Sequence, residues 1–421
     1  MKVWILNHYA TDMYFDGTGR HHSFAKYMIK KGFDVKIFCA STVHNSDITI
    51  NMEGSKFIEK VGEDAVPYVF IKTRQYSGNG KKRILNMLDY YHGIFKALSH
   101  FTKKEGAPDI ALASSVHPLT LVAGLKYAKR NHIKCICEVR DLWPESIVEF
   151  THFTKKNLVV KFLYRMEKWI YTKADALIFT MEGGVQYIID QKWDDQIDLN
   201  KIYHINNGVD LEVFNQNKQN YRLEDDMIKS SKGFNVVYAG SLRAANNVRK
   251  LAYVAIELQK RNINNINIFI YGDGPDKTEI EKIIDQNGLK NIHVMGKIEK
   301  KYIPSVLSIP QNINCLNYKY SDIFKYGGSQ NKLFEYLASG KPIIANVKMG
   351  YDIIEKYQAG VVVGSDEMDD LMNVIVKLSR MTSGEYKILC DNAQTAAKDY
   401  DYKVLTVKLI QVIENVRRDK R

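Results

Sequence analysis

The sequence predicts an α/β protein made of two doubly wound, Rossmann-like domains, and three observations predict it. The chain has 421 residues, more than one ordinary core organises, so two domains of about 200 residues fit better. Short runs rich in Val, Ile and aromatic residues alternate with amphipathic stretches, the βαβ signature of parallel sheets with helices on both faces. That alternation comes in two series. The first predicts strands at 3–7, 34–40, 67–72, 109–114, 133–139, 176–180 and 201–206. The second predicts strands at 235–239, 267–271, 291–294, 312–316, 342–345 and 360–363. Between them, 215–233 is polar and carries the acidic run Glu224, Asp225, Asp226, which reads as a linker. The expected domains are 1–212 and 213–400, facing each other across a cleft, with ligands at the carboxyl ends of the strands. In 402–421, Val404, Leu405, Leu409, Val412 and Val416 fall at helical spacing. That helix either completes the second domain or crosses back to the first.

Composition narrows the class. With 45% hydrophobic and 26% charged residues the chain is globular. It contains no uncharged apolar run of about 18 residues, so no spanning helix is expected. The opening MKVWILNHYATDMYF lacks the longer apolar region of a signal peptide, and a cytoplasmic location is expected. The cysteines, Cys39, Cys135, Cys137, Cys315 and Cys390, are odd in number and lack CxxC pairing. Neither a disulfide framework nor a zinc site is indicated, and no metal ligands are assigned. The net charge of +12 admits nucleic acid, an anionic membrane surface or phosphorylated substrates as partners. No RNA-binding aromatic signature or zinc finger is present, so nucleic acid is set aside.

Polar motifs cluster at the predicted strand ends. After the first strand, DGTGRHH opens a helix pattern over 22–32; Gly17, Thr18 and Gly19 would let the backbone approach an anion beside free amides, or simply form a turn. His117 ends one strand and Arg140 with Asp141 ends the next, so the three converge on the crevice of a parallel sheet unless they are structural. NNGVD, at 206–210, reads only as a turn. YAGSLR brings Gly240 and Arg243 to a strand-to-helix turn, and YGDGP brings Gly272 to another. The stretch YGGSQNKLFEYLASGKPII is the most informative. Ser329, Asn331, Lys332 and Leu333 open a predicted helix, 332–339, with Gly340 as its C-terminal cap. An anion before Lys332 would meet open amides, the helix dipole and an ammonium. Glu335, about one turn in, could accept from a vicinal hydroxyl pair such as a ribose, or could merely favour the dipole. Two basic amphipathic stretches, 81–104 and 155–173, carry apolar stripes (Ile84, Leu88, Tyr91, Phe95, Leu98; Val159, Phe162, Leu163, Met166, Trp169, Ile170). These suit packing on their own sheet or an anionic membrane interface.

Taken in order, these motifs resemble glycosyltransferase family 4, the retaining transferases of GT-B fold, and most nearly the bacterial branch that builds capsule and O-antigen units. The resemblance covers nearly the whole chain. It implies a second domain that binds a nucleoside-diphosphate sugar, UDP-linked, and a first domain that binds a polyprenyl-diphosphate-linked or saccharide acceptor at the inner membrane face. No cofactor beyond the donor is implied. Glu335 matches the second glutamate of the EX7E motif, which holds ribose, and Asn331 and Lys332 lie where amides hold the diphosphate. Gly17–Gly19 face the diphosphate, His117 contacts the donor sugar, and Arg140 and Asp141 line the site. The chain departs from the pattern at Gly327, where the first EX7E glutamate would stand, and at Ser241 and Asn247, where an Arg and a Lys are usual. Arg243 is the candidate replacement cation, with Lys332 assisting. The rival expectations are a UDP-sugar epimerase of the same fold, an inactive relative and a basic nucleic-acid binder. A metal-dependent transferase is disfavoured, because the only compact Asp-x-Asp, Asp399–Asp401, follows no core strand.

Overall fold

The structure, a computed structural model, describes every residue except 79, 116, 224–227, 229–232 and 420–421. The acidic run of the predicted linker therefore lies outside the described residues. The chain forms two compact units, Met1–Asn206 with Tyr402–Arg421, and Asn207–Asp401.

The first unit carries β1 (Lys2–Leu6), β2 (Asp34–Ala40), β3 (Phe57–Val61), β4 (Pro67–Ile71), β5 (Ile110–Ser114), β6 (Lys134–Val139), β7 (Ala176–Phe179) and β8 (Ile202–His204). They pair in the order β3-β4-β2-β1-β5-β6-β7-β8, all parallel except β3, which runs antiparallel to β4. β3 was not predicted. Its sequence FIEKV alternates with charges and none of its residues is fully buried, so it reads as a polar stretch. The central strands read as continuous apolar runs because helices cover both of their faces. Connections proceed outward in opposite directions from β1 and β5, so the carboxyl ends of these two strands flank a topological switch point.

A short helix not foreseen in the sequence, Thr11–Asp16, separates β1 from the glycine loop, and the helix after the loop runs Arg20–Lys30. The C-terminal helix, Tyr402–Arg418, belongs to this unit. Leu405, Leu409, Val412, Ile413 and Val416 share one core with Val3 and Ile5, and Tyr402 meets the Phe24 ring edge-on at 5.4 Å.

The helix Leu158–Lys173 corrects an expected packing face. It packs through Val160, Glu167, Ile170 and Tyr171, whereas Leu158, Val159, Phe162 and Trp169 are exposed, Leu158 by 80%. Buried Glu167 accepts hydrogen bonds from the Tyr171 and Tyr187 hydroxyls, both at 2.7 Å, and these draw a charged position inward. A similar shift occurs on the helix Lys81–Glu105: Ile84 and Leu88 are exposed, while Asn86, Met87 and Tyr90 are buried.

The second unit is a wholly parallel sheet of β9 (Phe234–Ala239), β10 (Ile266–Tyr271), β11 (Ile292–Gly296), β12 (Asn312–Leu316), β13 (Ile343–Ala345) and β14 (Gly360–Val362). Its order, β11-β10-β9-β12-β13-β14, puts the switch point between β9 and β12. Part of the predicted linker is helical: Leu211–Asn220 is capped by the Asp210 carboxylate, which accepts from the Val213 amide, and is anchored by buried Phe214. Gly340 takes the left-handed conformation (φ +65°) that ends the helix Asn331–Ala338. All five cysteines are free thiols. Among the described residues no helix is long and apolar enough to cross a membrane.

Candidate functional site

Each unit gathers polar groups at its own switch point. In the first, β1 runs into His8 and Tyr9, and β5 runs into His117, the residue that precedes the helix Pro118–Asn131. His8 Nδ1 lies 2.6 Å from His117 Nε2, and both rings are fully buried. Burial lowers both imidazoles, His117 to about 3, with Arg83 disfavouring a second charge, so the pair is neutral at physiological pH. Tyr90 stacks on His8 at 4.4 Å, and Tyr9 stacks on His44 at 4.8 Å. Arg83 donates to the Tyr9 hydroxyl at 3.2 Å.

Arg140 and Asp141 follow β6. The Arg140 amide donates to Ser115 Oγ at 3.0 Å, and its Nε is buried without a partner among the described residues. Asp141 is open to solvent on one side but otherwise ringed by protein; that desolvation raises its carboxyl, while Arg140 and Arg83 pull it down.

One residue before Val139, buried Glu138 ties the unit together. It accepts from Arg20 Nε at 2.8 Å, Ser114 Oγ at 2.7 Å and His21 Nε2 at 2.9 Å, and Arg20 also donates to the Ile205 and Asn206 carbonyls. Burial alone would raise the Glu138 carboxyl, but Arg20 and His21 hold it well below the usual carboxylate range. This ion pair fixes the start of the helix Arg20–Lys30, and with it the loop Gly17-Thr18-Gly19. The two glycines have local reasons of their own. Gly17 takes φ +60°, where a side chain is strained and a Cβ would push aside the Glu63 carboxylate, and Gly19 (φ +116°) faces Met13.

In the second unit the centre is Lys332. Its ammonium donates to the Tyr238 hydroxyl at 2.9 Å and lies over the Tyr238 and Tyr318 rings at 4.7 and 4.9 Å. It also covers Gly240 at the end of β9: a Cβ there would meet Lys332 Cε at 3.0 Å. Burial brings the ammonium down to about 8, opposed by nearby Glu335. The helix Asn331–Ala338 begins beside it with no side-chain cap from Gln330, whose carbonyl accepts from the Leu333 amide at 3.1 Å. Glu335 is half-buried one turn in, Asn331 is exposed, and Leu333 anchors the helix in the core. Ser329 is held by Asn207, whose amide donates to Ser329 Oγ at 3.1 Å and whose Nδ2 donates to its carbonyl at 2.6 Å. This gives the NNGVD turn a role that its pattern alone did not disclose.

The Gly240 turn is ordered by Asn246, which donates to the Ser241 carbonyl at 2.7 Å. Gly272 packs so closely that a Cβ would lie 1.9 Å from the Gly240 carbonyl oxygen, so the strand-end turns of β9 and β10 interlock. Arg243 is exposed on the loop, whereas Lys250 is buried and committed to Asp366. Tyr238, Tyr318, His8, Tyr9, Arg83 and Glu138 were not singled out in the sequence. His8 and Tyr9 directly follow a strand and could have been found by the strand-end rule that found His117.

Among the described residues no cluster of three or more His, Cys, Asp and Glu side chains could hold a metal ion.

Two doubly wound sheets, each with polar groups at its switch point, define the GT-B architecture. Solved GT-B structures share this fold at low identity. Anabaena HepE, solved with UDP and glucose, superposes with a TM-score of 0.66 at 14% identity, over 99% of this chain and 100% of that one. An E. coli trehalose-6-phosphate protein bound with UDP-2-fluoro glucose gives 0.71 at 9% identity, over 99% of each chain. The model described as Glycosyltransferase Family 4 matches residues 16–213, and the one described as Glycosyl transferases group 1 matches 223–399. Between them they leave out only 1–15, 214–222 and 400–421. The chain belongs to glycosyltransferase family 4. A curated relative, the alpha-D-kanosaminyltransferase of Streptomyces kanamyceticus, is 24% identical over 163 residues, a match that spans 38% of this chain and 38% of the relative.

Proposed function

We propose that the protein is a retaining glycosyltransferase that moves a sugar from a UDP-sugar to a lipid-linked or saccharide acceptor. The observation that carries this reading is the Lys332 ammonium lying over Gly240, beside an uncapped helix start, at the switch point of the second sheet. A diphosphate there would meet amides, a helix dipole and a cation together. Glu335, one turn further, would accept from the ribose hydroxyls, and Arg243, exposed on the Gly240 loop, would reach the phosphates from the other side. HepE and the E. coli protein, both solved with UDP compounds, support the choice of nucleotide.

As the anomeric C–O bond breaks, negative charge grows on the departing diphosphate, and preorganised cations and amides stabilise it. The acceptor hydroxyl attacks from the face the diphosphate leaves, which preserves the anomeric configuration, and the departing phosphate takes the hydroxyl proton. No metal ion is needed in this scheme. In the first unit His117, Arg140 and Asp141 would meet the sugar, with Gly17–Gly19 toward the diphosphate. Gly327 removes the carboxylate that would otherwise read the sugar, so the donor should differ there, an N-acetylated amino-deoxy sugar being our choice. The acceptor we propose is polyprenyl-diphosphate-linked, in capsule or O-antigen synthesis at the inner face of the cell membrane. The exposed Leu158, Val159, Phe162 and Trp169, interleaved with Lys161, Arg165 and Lys168, support membrane contact.

Calorimetry with UDP is the direct test. Glu335→Ala should weaken UDP binding by about 10- to 100-fold, the worth of hydrogen bonds to a charged acceptor. Unchanged affinity would remove the ribose role.

A further inference from the structure

Nearly all of the net charge of +12 falls in the first unit, and the nucleotide seat proposed above, which lies in the second, leaves it unexplained. Part of it converges on one cavity. A space of about 560 Å³ opens between the helices Lys81–Glu105 and Pro118–Asn131, a size suited to a small ligand. Lys103 lines it from one helix, Lys126 and Arg130 line it from the other, and no acidic side chain does. Lys126 and Arg130 are four residues apart, so they share one side of their helix. Lys103 and Arg130 form no hydrogen bond or ion pair among the described residues. Lys126 donates to the Tyr91 hydroxyl at 2.8 Å, which leaves two of its N–H groups for a ligand. One wall is aromatic: half-buried Tyr91 and Phe95 stand one turn apart and meet edge-on at 5.4 Å. The floor is held fast. Buried Tyr127 stacks on Trp4 at 5.9 Å, and its hydroxyl shares a 2.6 Å hydrogen bond with Thr102.

Helix dipoles explain some of this charge, because each favours a cation in its last turn, where Lys103, Lys104, Lys129 and Arg130 stand. They do not explain Lys126, a turn earlier, or the rings beside it. The cavity is also remote from the first switch point. The helix Pro118–Asn131 starts beside His117 and rises 1.5 Å per residue, which carries Arg130 about 20 Å away, to the amino-terminal edge of the sheet. Acyl chains find little to cover here: Ser99, His100 and Lys103 are the exposed neighbours, while exposed Ile84, Leu85 and Leu88 lie toward the other end of their helix. We propose that this cavity is a second ligand site for a phosphate monoester carried on a ring, a mononucleotide or a sugar phosphate, with the phosphate among Lys103, Lys126 and Arg130 and the ring against Tyr91 and Phe95. Arg130 presents a planar fork to the phosphate oxygens, and the lysines add point charges. The ring faces take a base by stacking or a sugar by its C–H face. Such a site does not depend on the transferase reading.

Calorimetry of the full-length protein with AMP, UMP, glucose 6-phosphate and inorganic phosphate tests it. A nucleotide or the sugar phosphate should bind, and the series tells which kind of ring the site prefers. Lys103→Ser with Arg130→Ser should weaken that binding roughly tenfold or more, the worth of a hydrogen bond between charged groups. Ser99→Trp, which fills the cavity and keeps every charge, should block it. All three positions are exposed, so melting temperatures should stay those of the parent. Glu335→Ala, in the other unit, should leave the titration unchanged. Loss of binding in Glu335→Ala, with the cavity variants unaffected, would place the ester in the second unit and overturn the proposal. Inorganic phosphate binding as tightly as the esters would remove the rings from the site and overturn it too. So would phosphatidylglycerol vesicles held through Lys103 and Arg130 while no ester titrates, which would make this a lipid face.

Discussion

Lys332 is where residue chemistry becomes measurable. Its ammonium titrates near 8 because burial disfavours the charge. Diphosphate binding needs the charged form, so UDP affinity should hold up to about pH 8 and then fall by at most about tenfold per pH unit. Lys332→Met should bind UDP weakly at pH 7 and lose this slope, and calorimetry from pH 7 to 9 checks both. Glu167 titrates in the opposite sense. Burial pushes its carboxyl to about 7, above the value an unfolded glutamate would have. The folded state therefore keeps a proton that the unfolded state has released, and stability is lost as pH rises from the unfolded value through 7. The full cost, on the order of 3 kcal/mol, applies above pH 7. Glu167→Gln should melt higher than the parent at pH 8 and about equally at pH 5; an equal melting temperature at pH 8 would contradict this.

Among the elements, the helix Leu158–Lys173 shows why pattern alone left two readings open. It carries apolar residues on two faces, and periodicity cannot say which face packs when a buried glutamate is satisfied by two tyrosines on the inner one. The exposed face makes a prediction. Phe162→Ser with Trp169→Ser should abolish flotation with anionic liposomes at low salt and leave the melting temperature unchanged, since both positions are exposed. Flotation equal to the parent would remove the membrane role from this helix. The parallel strands were legible because a strand covered on both faces must be apolar at every position, which leaves a short unbroken run in the chain. β3 was missed because an exposed edge strand has no such run. Of the groups gathered at the second switch point, Gly240, Lys332 and Glu335 were singled out from local spacing. Tyr238 and Tyr318 were not, because the box around Lys332 is assembled from the ends of β9 and β12, far apart in sequence. Glu138 was hidden in the same way: its partners Arg20 and His21 lie more than a hundred residues away.

For the whole molecule, charge buried in its neutral form sets the acid limit. His8, His21, His22, His117 and His204 are all lowered, each chiefly by burial, so the unfolded chain takes up their protons first as pH drops below about 6.5. Glu138 adds to this, because its depressed carboxyl leaves the unfolded state the better proton acceptor at lower pH. Glu167 opposes them but is a single group. The melting temperature should therefore drop by several degrees between pH 7.5 and 5.5, and a flat profile in calorimetry would contradict the burial of these rings.

The chain leaves the first unit at Asn206 and returns to it at Tyr402, so the second unit is an insertion in the first. Exchanging the second unit between relatives thus needs two joints, not one. The upstream joint has little latitude: Arg20 grips the Ile205 and Asn206 carbonyls on one side, and Asn207 grips Ser329 on the other. A chimera cut at Asn207 must import the matching partner of that asparagine with the incoming half, and one cut a few residues later inherits a mismatched seat for the start of the helix Asn331–Ala338. Recombination in this family should therefore leave its seams just before this turn and just before the last helix.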